Sequence, residues 1–147
     1  MKQKWPHILF QELCEIENRK ERIEHLKTHG NNFVIRSLLK IMWHDKIEPF
    51  SFPMGAPPYA ENKKIDEETF DSDWGQKAFS KLGMCFKSAP TKQIQKEKIL
   101  ISLLEAMPVE SAKILIACKD RNLLTVQRKK YSKITKPLVT EAFPGIL

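Results

Sequence analysis

This 147-residue sequence predicts an all-α fold, a compact bundle of about six to seven mostly short helices with an extended proline-rich crossover. Three observations predict it. Apolar residues recur at helical spacing through most of the chain, helix-capping residues stand just ahead of those runs, and no long alternating run of β-branched residues appears anywhere.

Ile8, Leu9, Leu13 and Ile16 repeat at helical spacing just after Pro6, which predicts a first helix of about ten residues. Asn18 followed by Glu21 reads as a capping box, opening a second helix that carries Ile23 and Leu26 and stops at Gly30. Asn32 caps a third, in which Phe33, Val34, Leu38, Leu39, Met42 and Trp43 form a wide apolar stripe.

From Asp45 to Lys64 the helical pattern is lost. Pro49, Pro53, Pro57 and Pro58 interleave with Phe50, Phe52 and Tyr59, so the chain there is extended, with polyproline-like stretches. We expect it to act as a belt between the two helical halves rather than as a ligand for a foreign groove. Asp66, Glu67, Glu68, Asp71 and Asp73 then precede Trp74, Phe79, Leu82 and Phe86, as acidic first turns favoured by a helix dipole would. Gly75 and Gly83 interrupt that pattern.

Past Pro90, Thr91 is the expected cap of a helix carrying Ile94, Leu100, Ile101, Leu104 and Met107. Pro108 starts the next, with Val109, Ala112, Leu115, Ile116 and Cys118. These two are the expected core. A last short helix is capped by Thr135, has Pro137 in its first turn, and carries Leu138, Val139, Ala142 and Phe143 on one face before Pro144 ends it.

The composition, 41% hydrophobic with 29% charged residues, suits one ordinary domain that builds its core without a metal, a cofactor or disulfides. We expect a single domain, residues 1–147, made of an N-terminal helical part (1–44), the proline-rich connector (45–64) and a C-terminal helical core (65–147). Cys14, Cys85 and Cys118 are odd in number and sit mostly in apolar segments, as buried thiols of a reducing compartment do. The longest apolar run, Ile99 to Met107, is broken by Ser102 and Glu105 and is too short to span a bilayer, and the N-terminus lacks the apolar length of a secretory signal. No membrane association is expected. The net charge of +7 is uneven: counting Lys and Arg against Asp and Glu, residues 1–45 carry +2, residues 46–75 carry −4 and residues 76–147 carry +9. An anionic partner or internal pairing would answer that asymmetry.

At Leu103-Leu104-Glu105, from Ala112 to Asp120, and over Leu138-Val139-Thr140-Glu141-Ala142-Phe143-Pro144-Gly145-Ile146-Leu147, the chain resembles a family of small uncharacterised proteins of tailed, largely marine, myovirus-type bacteriophages. Pro53-Met54-Gly55-Ala56-Pro57-Pro58-Tyr59 is similar to that family's proline-rich middle motif. Thr125 to Lys133 departs from it, being longer and more basic than the loop that usually precedes the last helix. The resemblance implies a phage product made in the host bacterial cytoplasm, and it implies no activity. We therefore expect a non-enzymatic accessory protein that binds a host or phage protein machine of replication or transcription, with direct nucleic-acid binding or a virion role as alternatives.

Arg121, Arg128, Lys129, Lys130, Lys133 and Lys136, with Tyr131 among them as a stacking platform, are the candidate nucleic-acid contacts, because cations neutralise phosphates and an aromatic ring stacks a base. A charge run is more often a solvated face. Phe143, Ile146 and Leu147 are candidates for docking on a partner, although a final helix closing this chain's own core is the expected role of that end. His25 and His29 stand four apart without the glutamate of a zinc protease or a visible third ligand, so no metal site is expected. Asp71 and Asp73 beside Glu67 and Glu68 could hold magnesium, but their spacing fits helix-terminal charge better. No catalytic residues are assigned.

Overall fold

The computed structural model of the chain describes residues 1–46, 50, 52–126 and 128–147. Pro49 and Ser51 of the proline-rich segment and Gln127 of the basic stretch lie outside the described residues. Among those described, seven α-helices dominate and a single two-stranded ribbon accompanies them.

The N-terminal half forms as its spacing predicts. α1 runs Pro6–Glu15 with the proline in its first turn, where no backbone N–H is needed. α2 runs Arg19–His29, and the Asn18 side chain accepts from the Glu21 N–H at 3.1 Å. Arg22, buried on α2, turns back so that its Nε donates to the carbonyl oxygens of Leu13 and Ile16 at 3.0 and 3.1 Å. A cation thus satisfies the orphan carbonyls at the end of α1. Gly30 ends α2 for a reason of space: its φ is −101°, but a Cβ would lie 2.6 Å from Leu26 Cδ1.

α3 spans Phe33–Trp43, with Asn32 accepting from the Ile35 N–H at 3.0 Å. Val34, Ile35, Leu38, Leu39, Ile41 and Met42 are buried. Phe33, expected in the apolar stripe, is 44% exposed. Helical geometry puts it with Arg36 and Lys40, three and seven residues on, rather than with Val34 and Leu38.

Two short strands were not expected. β1 (Lys2–Lys4) pairs antiparallel with β2 (Thr69–Asp71), in the register Lys2 to Asp71, Gln3 to Phe70 and Lys4 to Thr69. Three residues are too few to show alternation, so the ribbon left no pattern to read. It brings buried Phe70 to 4.8 Å from the Trp5 ring, with Trp74 5.5 Å from Trp5. Asp71 then caps α4 (Ser72–Ser80) by accepting from the Asp73 N–H at 2.8 Å. Asp66, Glu67 and Glu68 precede the strand instead of entering the helix. Gly75 is needed here, because a Cβ would stand 2.7 Å from both Phe70 and Val34 and push α4 off its neighbours.

A 3-10 turn, Lys81–Cys85, leads to α5, Gln93–Glu105. The expected Thr91 cap is not made: Lys92 takes the cap position and no side chain caps the helix. Leu100, Leu103 and Leu104 are buried, whereas Ile94, seven residues before Ile101, is 59% exposed. α6, Val109–Lys119, is the centre of the molecule, buried along Ser111, Ala112, Ile114, Leu115, Ala117 and Cys118 and packed against α1, α3 and α5. None of the helices in the described residues is long and apolar enough to cross a membrane.

The proline-rich segment is packed down, chiefly along the α5–α6 hairpin. Phe50 bridges to Phe86 with stacked rings 4.9 Å apart, and Phe52 and Tyr59 pack on the core. The Gly55 N–H donates to Asp120 at 2.9 Å, Lys119 Nζ donates to the Pro53 carbonyl at 2.9 Å, and Lys119 pairs with Asp120 at 2.6 Å. Farther along, the Ala60 N–H donates to Glu105 at 2.7 Å and Asn62 Nδ2 to the Glu105 carbonyl at 3.0 Å.

α7, Lys136–Ala142, is capped by Thr135, whose Oγ1 accepts from the Leu138 N–H at 3.3 Å, and it packs on α2, with Arg19 paired to Glu141. Gly145 has φ +86°, a left-handed conformation that reverses the chain after Pro144. Ile146 thereby returns to the core, 3% exposed, and Leu147 packs partly buried beside it. Ile146→Ala should lower unfolding stability by about 2–4 kcal/mol. Urea denaturation checks this; an unchanged midpoint would mean that the tail does not close the core.

Candidate functional site

The cationic stretch is a loop nailed down by its apolar residues. Leaving α6, Arg121 (φ 55°) donates its N–H to the Cys118 carbonyl at 3.0 Å, and Asn122 donates to Ala117 at 2.9 Å. Successive turns follow: the Lys130 N–H to Val126 O at 3.1 Å, Ser132 N–H to Lys129 O at 3.0 Å, and Ile134 N–H to Tyr131 O at 3.0 Å. Leu123, Val126, Tyr131 and Ile134 are buried, while Arg121, Arg128, Lys129, Lys130, Lys133 and Lys136 are exposed. The two ends of the loop meet at the end of α3: Arg121 Nη2 donates to the His44 carbonyl at 3.4 Å, and Lys136 Nζ lies 3.6 Å from Asp45.

Arg128 (φ 56°) and Lys129 (φ 65°) both adopt left-handed backbone. Each such residue with a Cβ costs about 1–2 kcal/mol against the right-handed form, and glycine or asparagine ordinarily stands there. Here the turn instead carries two cations at its tip.

Tyr131 departs from its expected role. It is 0% exposed, edge-on to Phe10 at 5.8 Å between ring centroids, and its hydroxyl has no hydrogen-bond partner among the described residues. Burial pushes its phenol up to about 12. The ring anchors the loop and offers no face to a base, while Lys130 covers it from outside, 5.6 Å from its centroid. The C-terminal candidates also turn inward. Phe143 and Ile146 are buried and Leu147 partly so, with the Arg36 guanidinium 5.2 Å above the Phe143 ring.

His25 Nε2 lies 2.8 Å from Glu12 Oε1, which also takes Lys4 Nζ at 2.7 Å, and the His29 ring lies tilted against that of His25, 4.5 Å between centroids. These pairs tie β1, α1 and α2 together. Among the described residues no three His, Cys, Asp or Glu side chains are grouped to hold a metal ion. Burial raises the Cys85 thiol to about 11 and Cys118 to about 12, and Cys14 is also raised. Thiols held in the neutral form are poor nucleophiles.

One pairing left no trace in the sequence, because its members stand 104 residues apart. The His7 N–H donates to buried Ser111 Oγ at 3.2 Å, and the same oxygen lies 2.6 Å from His7 Nδ1. With the backbone N–H already donating, the hydroxyl hydrogen can serve Nδ1 of a neutral ring. Burial, the largest influence, lowers the basicity of His7, as does nearby Lys130, while Glu110 and Glu68 oppose them. The pair fastens α1 to α6.

Beside the loop, an open groove of 570 Å³ runs between the belt and α6, lined by Tyr59, Glu61, Lys113, Ile116, Asp120 and Val126. A more apolar hollow of 310 Å³ lies on the α5 side, with Phe52, Met54, Leu100 and Ile101.

Residues 9–125 match a family of unknown function, DUF6433. The chain belongs to this family. The matched segment begins within α1 and runs through the belt and α6; the tip of the cationic loop and α7 lie past it. Neither a curated protein nor a solved structure shows significant similarity to the chain.

Lys129→Gly should hold or raise stability by up to about 1 kcal/mol, since glycine relieves the left-handed cost; a clear loss in thermal denaturation would show that the side chain contributes to the fold. Stability should also fall with acid. His7 and His29 titrate below their ordinary value of 6.5 in the fold, so the unfolded chain takes up the proton first and the loss begins as pH drops through 6.5. Glu12 is held below its ordinary 4.5 by Lys4 and His25 against the opposing effect of burial, which extends the loss to lower pH. Urea unfolding of wild type and His7→Gln between about pH 7 and 5 should show a shallower dependence in the variant.

Proposed function

We propose that the chain is a non-enzymatic binding protein that docks on nucleic-acid phosphates through residues 121–136. In the setting that the phage resemblance implies, it acts in the host bacterial cytoplasm on a host or viral replication or transcription machine. The observation that carries the reading is the Arg128–Lys129 turn, where two left-handed residues are cations on a loop pinned by Leu123, Val126, Tyr131 and Ile134. A solvated loop that served only solubility would be more stable with glycine at those positions. Keeping cations there at a cost in stability is what a binding surface requires.

With Tyr131 buried, the loop itself offers charge without stacking, so its contribution is sequence-independent and steeply salt-dependent. Docking on a protein of the same machine is the second reading, favoured by Met54, 75% exposed at the rim of the apolar hollow beside α5.

Replacing Arg128, Lys129 and Lys133 together with Gln should weaken oligonucleotide binding and reduce the slope of log affinity against log salt by about 2–3 units. Fluorescence anisotropy over a salt series measures it. An unchanged slope, or no binding at low salt, would overturn the reading.

A further inference from the structure

α3 has a side that the core covers only in part. Arg36, Lys40 and Trp43 stand at intervals of four and three and so share one face of the helix, and none of them is fully buried. The cationic loop begins and ends beside that face, through Arg121 on the His44 carbonyl and Lys136 at Asp45. α7 flanks it, since Lys136 at its start lies by Asp45 while Phe143 just beyond its end lies under Arg36. Among the described residues, no acid pairs with Lys40 and no group accepts the Trp43 indole N–H. Trp43 packs against the core while remaining only partly buried, as an amphipathic aromatic with a polar group often does.

We propose that Trp43 is the base-stacking platform of a single-stranded nucleic-acid site, with Lys40, Arg121 and Lys136 around it as phosphate contacts. The proposal rests on the reading of the loop as a phosphate-docking element and names the form of nucleic acid it takes. In a duplex both faces of every base are covered by neighbours, so a ring fixed among cations on a helix is useful only to an unstacked base. The loop supplies charge but no ring, because Tyr131 is buried; Trp43 immediately precedes His44 and Asp45, the two residues that the ends of the loop reach.

The test compares an oligodeoxythymidylate of about 12 nucleotides with a duplex of the same length, by fluorescence anisotropy. The single strand should bind more tightly. Trp43→Leu should lose about 10-fold to 100-fold on the single strand with its salt slope unchanged, and Trp43→Phe should retain most of the affinity. The Arg128, Lys129 and Lys133 variant should lower the slope instead. In the wild-type protein, irradiation of a bound single strand carrying 5-iodouracil should cross-link to Trp43, a readout independent of how any variant folds. Cross-linking elsewhere, wild-type affinity in Trp43→Leu, or a duplex bound as tightly as the single strand would overturn the Trp43 site while leaving the loop reading intact. If neither oligonucleotide bound at low salt, both readings would fall.

Discussion

The burial of α6 is the constraint on which the other elements depend. Ser111, Ala112, Ile114, Leu115, Ala117 and Cys118 point to several sides of one helix, so no single neighbour covers it. α1, α3 and α5 pack around it, and the His7–Ser111 pair fixes α1 at its first turn. Ser111 is a fully buried polar side chain on this helix, and its hydroxyl is satisfied by a residue from the far end of the sequence. An apolar helix needs such a partner only if its position, and not just its burial, is to be specified.

The end of α6 organises the belt. Lys119 and Asp120 are adjacent, paired at 2.6 Å, and together hold the Pro53 carbonyl and the Gly55 N–H. Proline lacks a donor, so a proline-rich segment cannot fasten itself by backbone ladders and needs side chains to grip what polar groups it has. The grip leaves grooves on both sides of the belt and an exposed methionine over one of them. Just beyond this pair the chain turns left-handed at Arg121 and the cationic loop starts, so belt and loop share one anchor.

The loop divides its residues by environment within a few positions: Val126, Tyr131 and Ile134 inward, Arg128, Lys129 and Lys133 outward. Sequence reasoning could read the charge there but not the burial of Tyr131, because a ring between lysines looks the same whether it packs edge-on to Phe10 or faces water. Trp43 was legible only as part of an apolar stripe, and its partly buried state depends on neighbours that the stripe does not contain. The His7–Ser111 pair was invisible for the same reason: nothing local to either residue points to the other.

What the sequence by itself determined is local. Asn18, Asn32 and Thr135 cap the helices they precede, Pro6 and Pro137 enter first turns, and the apolar spacing places α1, α2, α3, α5, α6 and α7, because capping and periodicity act over one or two turns. The tertiary structure alone decided what depends on distant partners. It paired β1 with β2 across some seventy residues, exposed Phe33 and Ile94, buried Tyr131, folded Ile146 back at Gly145, and set Gly75 against Phe70 and Val34. In each case the side chain's environment is made by a surface that another part of the chain supplies, and no window of sequence contains both halves of that contact.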